Sequence, residues 1–214
     1  MGLVLRHVRR WTTVLVIAAS LPSRAVAHPH VWIDLAMQVL FDSSGRVTGL
    51  RETWLLDEFY TAYATRGIDV ADPDKLRALL DVNMKNLADV AYFTKVTVGE
   101  TAISPGKIME ASSRMRDKRL ELTFVLPFVE PADVTAAPLV YAIYDPTYFI
   151  EILHEEGGNA IRLINSPRGC RYRLIPPHPS MESVALAAAL DTTQTASYEL
   201  GELFAEKVSV RCGA

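Results

Sequence analysis

Two histidines near the start of the chain have the spacing of a small metal site. His28 and His30 follow directly after Ala25-Val26-Ala27, and small residues at the first and third positions of such a triplet are what a signal peptidase recognises. Cleavage after Ala27 would make His28 the first residue, so that it offers a metal both its α-amine and its imidazole. Nitrogen ligands of this kind suit Ni(II), Zn(II), Co(II) and Cu(II), and do not suit Ca(II) or Mg(II). The spacing therefore predicts a divalent transition-metal site at the mature N-terminus, with the four metals not distinguished.

Pro29 narrows the type of metal site. The amino-terminal copper and nickel motif needs a histidine at position three and a deprotonated backbone amide at position two, and proline has no amide hydrogen to lose. That chelate is blocked, and side-chain coordination of the histidine-brace kind remains. The alternative is that the two histidines are only a solubilising start of the mature chain.

Candidate ligands farther along the chain are Asp145 and His154. Asp145 separates two apolar stretches, and is either an ordinary turn aspartate or a carboxylate directed at the site. His154 ends an apolar stretch, and is either a ligand or a surface histidine at the end of a strand. We expect His178, which stands between prolines, to pack or to face solvent. No nucleophile–base pair and no glycine-rich phosphate loop stands out, so we expect no catalytic residues and no enzymatic activity.

The two cysteines, Cys170 and Cys212, both lie in the part of the chain that we expect to be exported. An even number of cysteines in an oxidising compartment favours a disulfide. It would close a loop of roughly 40 residues, worth ~4 kcal/mol by chain entropy. A pair of thiolate metal ligands is the alternative, although the spacing is far from Cys-x-x-Cys.

The first 27 residues resemble a secretory signal peptide. Residues 1–10 contain three arginines and no acidic residue. Residues 11–21 form a mostly apolar segment that is too short to span a bilayer, and Pro22 follows it. An uncleaved membrane anchor is the alternative. The whole chain has 22 basic and 25 acidic residues, and since four arginines and no acid lie in this segment, the remainder carries a net charge of −7. That charge argues against a nucleic-acid partner, and we expect a periplasmic protein that is soluble after signal cleavage.

Alternating hydropathy predicts the elements that position these residues. Apolar residues at every second position predict a strand over 30–41, a turn, and a return strand over 46–56 that completes a hairpin. The same period places both histidines on the less apolar face. Asp72-Pro73 predicts the start of a helix over 75–90. The candidates for its buried side are Leu76, Leu79, Leu80, Val82, Met84 and Leu87. Many short strands with helices between hairpins indicate an α+β fold, with a mainly antiparallel sheet and two to four helices, in one domain over residues 28–214.

Three segments together resemble a known bacterial family. They are His28-Pro29-His30-Val31-Trp32-Ile33-Asp34, Tyr144-Asp145-Pro146-Thr147-Tyr148-Phe149 and Phe204-Ala205-Glu206-Lys207-Val208-Ser209-Val210-Arg211-Cys212. The chain is similar to a family of unknown function that is described as the periplasmic component of an uncharacterised ABC-type transport system. Members are often associated with nickel/cobalt-type metal exporters or uptake permeases. The resemblance implies a metal-handling role beside a membrane metal transporter, with His28, His30 and Asp145 as site residues.

The sequence thus supports a periplasmic transition-metal-binding protein that assists a membrane transporter. The chain is shorter than typical periplasmic solute-binding proteins and lacks their two βαβ halves, so we do not expect that architecture. The alternative function is an accessory interaction module that contacts a permease and binds no metal. A histidine-brace copper oxidase is a third hypothesis, and it would need a wide exposed substrate face.

Overall fold

The computed structural model describes residues 29–190 and 200–213. Its strands are β1 (Val31–Phe41), β2 (Val47–Leu56), β3 (Thr94–Val98), β4 (Thr101–Ala102), β5 (Met109–Arg116), β6 (Arg119–Ala132), β7 (Leu139–Ile143), β8 (Ile150–His154), β9 (Ile161–Ile164), β10 (Arg171–Ile175) and β11 (Lys207–Arg211). Its helices are α1 (Glu58–Ala64), α2 (Pro73–Ala88), α3 (Met181–Ala189) and α4 (Leu200–Leu203), with a 3₁₀ turn at Ala91–Phe93. None of the helices described is long and apolar enough to cross a membrane. The predicted signal peptide, residues 1–27, lies outside the described residues.

The strands form two sheets. The first has the order β5-β6-β2-β1-β8, and β9 also pairs with β1. The second has the order β10-β11-β7-β3-β4. Most neighbours are antiparallel, but β1 runs parallel to both β8 and β9. The α+β prediction is confirmed, and the single sheet expected from the sequence is divided into two.

The predicted N-terminal hairpin is confirmed. Six apolar residues alternate along β1, and each is 5% exposed or less, as expected for the core-facing side of a strand. In the turn, the Oδ1 atom of Asp42 accepts hydrogen bonds from the backbone N–H groups of Ser44 and Arg46. Gly45 has a φ of +82°, which a residue without a Cβ adopts at little cost. The hairpin is therefore specified locally as well as by its buried face.

One hydrophobic core joins the two sheets and α2. It contains Trp54 and Phe124 from the first sheet, and Tyr141 from the second. Helix α2 begins as predicted, because the side chain of Asp72 caps it and Pro73 occupies its first turn. It contributes its apolar stripe to the same core, namely Leu76, Leu80 and Met84. Val82, expected on that stripe, is instead 58% exposed.

A second, smaller cluster holds the C-terminal helices. Tyr148, Ala187 and Leu200 are buried together, with Leu190 and Phe204 packed against them. The rings of Tyr148 and Phe204 stack with centroids 4.0 Å apart. This cluster places α3 and α4 against the loop of residues 145–150.

The predicted disulfide is present and joins Cys170 to Cys212. The two cysteines flank the antiparallel pair β10–β11, in which Arg171 lies opposite Arg211. Cys212 is buried, and its backbone N–H donates to Val134 O at 3.2 Å. The bond therefore fastens the last strand to the body of the protein.

Candidate functional site

His30 stands at the entrance to β1 in a defined position. Its backbone N–H donates to the carbonyl oxygen of Phe149 at 2.9 Å. Its imidazole lies against the ring of Phe149, with centroids 4.8 Å apart and an interplanar angle of 49°. His28, the first predicted ligand, lies outside the described residues. His30 is thus held in place by the 145–150 loop.

Asp145 organises that loop. Its Oδ1 accepts a hydrogen bond from Thr147 N at 2.9 Å, its Oδ2 accepts one from Ile150 N at 3.1 Å, and both oxygens lie within 3.0 Å of Thr147 Oγ1. Asp145 is only 6% exposed. Its oxygens bind groups within the loop, as those of a turn aspartate do, and metal binding by Asp145 stays a prediction. It is a positioning residue, since the loop that it closes carries Phe149 to His30.

Helix α4 supports the loop from its other side. Gly201 N donates to Pro146 O at 3.0 Å, and a Cβ atom on Gly201 would lie 1.8 Å from Asp145 O. Only glycine permits this approach of the two backbones. The hydroxyl of Tyr148 donates to Glu151 Oε1 at 2.8 Å, and burial, together with this bond, raises the pKa of Tyr148.

The pairing of β1 with β8 places several side chains beside His30 on one face of the first sheet. Ile33 lies opposite Ile152, and both are buried in the core. Since successive side chains alternate between faces, the preceding pair, Trp32 and Glu151, faces the other side. Trp32 is 45% exposed. Glu151 was not anticipated from the sequence, because only the parallel register brings it to this face.

The next carboxylate on this face of β1 is bound to an arginine. Asp34 Oδ2 accepts a hydrogen bond from Arg119 Nη1 at 2.6 Å, and the same guanidinium donates to the carbonyl oxygens of Leu55 and Leu56 at 2.7 Å. Asp34 and Arg119 thus fix the end of the β1–β2 hairpin to β6.

Asp57 connects α1 to the start of β1. Its Oδ1 accepts a hydrogen bond from Tyr60 N and so caps α1, and its Oδ2 accepts one from Trp32 N at 3.0 Å. Its backbone N–H returns a bond to Trp32 O. A shallow depression lies beside Asp57, between Trp32 and the exposed Phe59 of α1.

His154 lies apart from the other predicted ligands, between the two sheets. Its Nδ1 and its backbone N–H both donate to Glu206 Oε2 at 2.7 Å. Its Nε2 lies 3.3 Å from the hydroxyl of Tyr141, and the side chain is 4% exposed. Metal binding by His154 stays a prediction, and it would require the imidazole to exchange these partners for the ion.

Within residues 29–190 and 200–213, no three His, Cys, Asp or Glu side chains come together as a metal site would require. His178 is exposed, and facing solvent was one of the two outcomes that the sequence led us to expect. The structure therefore brings His30 next to the loop of Asp145, and leaves His154 elsewhere.

Glu52 is a buried carboxyl that the sequence did not single out. It is 0% exposed and lies on the core face of β2 between Leu50 and Trp54. Its oxygens accept hydrogen bonds from Trp54 Nε1 at 2.9 Å and from Thr94 Oγ1 of the second sheet at 2.8 Å. Burial raises the pKa of Glu52 to about 7, although both bonds act in the opposite direction. The signal available in the sequence was its position, two residues from Leu50 and two from Trp54, which places Glu52 on the buried face of the strand.

Comparison with known proteins bears on the family alone. No curated protein and no solved structure matches the chain. A family model described as "Protein of unknown function (DUF1007)" matches residues 13–212. The matched segment contains His28, His30 and the whole of both sheets. The chain therefore belongs to this family of unknown function.

Proposed function

We propose that the protein is an exported, periplasmic protein that binds a divalent transition metal and assists a membrane metal transporter or permease. The observation that carries the proposal is the anchoring of His30. The 2.9 Å bond to Phe149 O and the contact with the Phe149 ring fix a histidine at the first strand, two residues from the expected new N-terminus. A ligand held in one place loses little conformational freedom on binding.

The donor set fits such an ion. Processing after Ala27 would supply the α-amine and imidazole of His28, and His30 would add a second imidazole. These are nitrogen ligands that Ni, Zn, Co and Cu ions accept. Held this way, the ion would be cargo that the protein passes to, or takes from, its transporter.

Export is supported by two observations. The basic and apolar order of residues 1–27 is typical of a secretory signal, and the Cys170–Cys212 disulfide suits an oxidising compartment. The transporter partner rests on the resemblance of the His28–Asp34 segment and its companions to transport-associated proteins.

A titration tests the metal site. Protein that begins at His28 is titrated with Zn²⁺, Ni²⁺, Co²⁺ and Cu²⁺, beside the same protein with one added glycine before His28. We expect the added residue to weaken binding at least tenfold, because it removes the α-amine from the histidine. His178→Ala, at an exposed histidine, is the matched control and should bind as the wild type does. Equal affinity in the extended protein would remove the amine from the site, and normal binding by His30→Ala would overturn the site altogether.

A second candidate is an accessory module that contacts a permease and binds no metal. Exposed aromatic side chains at this end of the protein favour it: Trp32 is 45% exposed, Phe59 87% and Tyr63 74%. Exposed aromatics often mark contact surfaces. This function predicts that metal accumulation by cells survives the double change His28→Ala and His30→Ala and is lost in Trp32→Ala with Phe59→Ala. The metal-binding function predicts instead that metal accumulation is lost in the double change His28→Ala and His30→Ala.

A further inference from the structure

We infer that Glu151 supplies the carboxylate ligand of the N-terminal metal site, with Tyr148 orienting it. The inference rests on the proposed function and adds to it a residue that neither the sequence motifs nor the family assigns. Its starting point is the parallel pairing of β1 with β8, which brings Trp32 and Glu151, 119 positions apart in the chain, onto one face.

The register places Glu151 within reach of an ion bound by His30. Trp32 lies opposite Glu151 and Val31 opposite Ile150, so His30 lies diagonally across from Glu151 by one strand and two residues. Strand spacing and rise give a Cα–Cα separation of about 8 Å for such a diagonal pair. With metal–ligand bonds of about 2 Å, a histidine and a glutamate at this separation can share one ion.

The hydrogen bonding of Glu151 is that of a supported ligand. Tyr148 Oη donates to Oε1 at 2.8 Å, and the ring of Tyr148 is itself stacked on Phe204. Ligating carboxylates are commonly oriented by such a bond from a neighbouring group, which fixes one oxygen and directs the other. The phenol is neutral, so it leaves the negative charge of Glu151 for a cation.

Three carboxylates near this face already have other partners. Asp34 pairs with Arg119, Asp145 closes its own loop, and Asp57 caps α1. Among the ion pairs formed in the described part of the chain, none includes Glu151. A carboxylate without a cationic side chain beside it, on the face that carries His30, is suited to complete a site of nitrogen ligands.

An oxygen ligand also sets the class of ion. A site of imidazole, amine and carboxylate donors has no thiolate or thioether, and so it suits Zn(II), Co(II), Ni(II) and Cu(II) rather than Cu(I). Ligand exchange with a transporter is then possible without a change in the oxidation state of the metal.

The test uses the full processed chain beginning at His28, titrated with Co²⁺ and, in competition, with Zn²⁺. We expect Glu151→Gln to weaken both ions at least tenfold and to change the visible Co²⁺ spectrum, because a carboxylate leaves the coordination shell. Tyr148→Phe keeps the ring and should weaken binding by a smaller factor with the spectrum retained. Glu130→Gln, at an exposed glutamate at the far end of β6, is the matched control and should behave as wild type.

The outcomes separate this inference from the proposed function. Wild-type affinity and an unchanged Co²⁺ spectrum in Glu151→Gln, with weakened binding in His30→Ala, would overturn the role of Glu151 and leave the histidine site in place. No binding of either ion by the wild-type processed chain would overturn both. Thermal unfolding of each variant shows whether it is folded. If Glu151→Gln does not fold, Glu151→Asp takes its place in the test. It keeps the charge on a shorter side chain, and we expect it to retain part of the affinity.

Discussion

Glu206 Oε2 accepts two hydrogen bonds from His154, one from the backbone N–H and one from Nδ1, both at 2.7 Å. His154 ends β8 of the first sheet, and Glu206 directly precedes β11 of the second. Since Nε2 of the same imidazole meets the hydroxyl of Tyr141 on β7, a single histidine joins the two sheets. These hydrogen bonds give His154 a structural role between the two sheets.

Replacing Glu206 should destabilise the fold. Glu206→Ala leaves two donors of His154 without their acceptor in a mostly buried place, and we expect the free energy of unfolding to fall by about 2 kcal/mol or more. Glu202→Ala is the control, because Glu202 forms only an exposed pair with Lys207 and should cost less than about 1 kcal/mol. Urea unfolding of the three proteins gives the comparison. Equal losses in both variants would contradict the bridging role.

The same pair has a signature at low pH. Burial alone would raise the pKa of Glu206, but the bonds from His154 outweigh it and lower the pKa below 4.5. The stabilisation is then present above the pKa of an unfolded glutamate and is lost as the pH falls through the folded value. The stability difference between wild type and Glu206→Ala should therefore shrink in acid. A difference independent of pH below 4.5 would count against this assignment.

Glu52 should have the opposite dependence on pH. Its pKa is about 7 in the folded protein, against an ordinary value of 4.5, because it is buried. A raised pKa of an acid means that stability is fully present below the unfolded value and is lost as the pH rises through the folded one. Relative to Glu52→Gln, the wild type should lose on the order of 3 kcal/mol between pH 4.5 and pH 8.

Unfolding free energies of wild type and Glu52→Gln across that pH range provide the measurement. Glu130→Gln, at an exposed position, should follow the wild-type curve throughout. Parallel curves for wild type and Glu52→Gln would mean that the carboxyl of Glu52 does not titrate differently in the folded protein.

Gly201 should be intolerant of any side chain. In Gly201→Ala the new Cβ would meet Asp145 O at 1.8 Å, so α4 and the 145–150 loop must separate. We expect a loss of about 2 kcal/mol in stability, and weaker metal binding because the loop also holds His30. Gly158→Ala, whose Cβ would meet nothing within 4 Å, should change stability by less than about 0.5 kcal/mol. Similar melting curves for the two variants would show that the loop is not packed as described.

Removing the disulfide should cost stability without changing the fold. The sequence separation of 42 corresponds to ~4 kcal/mol in the chain-entropy model, and this is an upper value if the unfolded chain keeps some structure. The double variant Cys170→Ser with Cys212→Ser and the reduced wild type should unfold at the same urea concentration, below that of the oxidised wild type. Coincidence of all three would contradict the stabilising role.

Local patterns were sufficient to predict much of the fold. The alternation in β1, the Asp42–Gly45 turn and the Asp72-Pro73 start of α2 are each determined by neighbouring residues, and each was recovered. The disulfide was also recoverable, since the chain has only two cysteines and both stand in the part that we expect to be exported. The same local rule misassigned Val82, because a helix resting on a sheet buries only a narrow stripe.

The candidate site was less predictable because it depends on pairing between distant segments. The parallel pairing of β1 with β8, which brings Glu151 to the face of His30, has no local signature. The partners of His154 are Tyr141 and Glu206, and no spacing in the sequence relates the three. Asp145 was identified as important, but its function in closing a loop follows from the positions of Thr147 and Ile150 in space.

The measurement that addresses the central claim most directly is the metal content of the protein after native export and processing. Wild type and His30→Ala are purified from the periplasm without chelators and analysed for transition metals, with His178→Ala as the control. We expect near-stoichiometric amounts of one transition metal in the wild type and the control, and a large loss in His30→Ala. Metal-free wild-type protein, or equal metal content in His30→Ala, would contradict a metal site at the mature N-terminus.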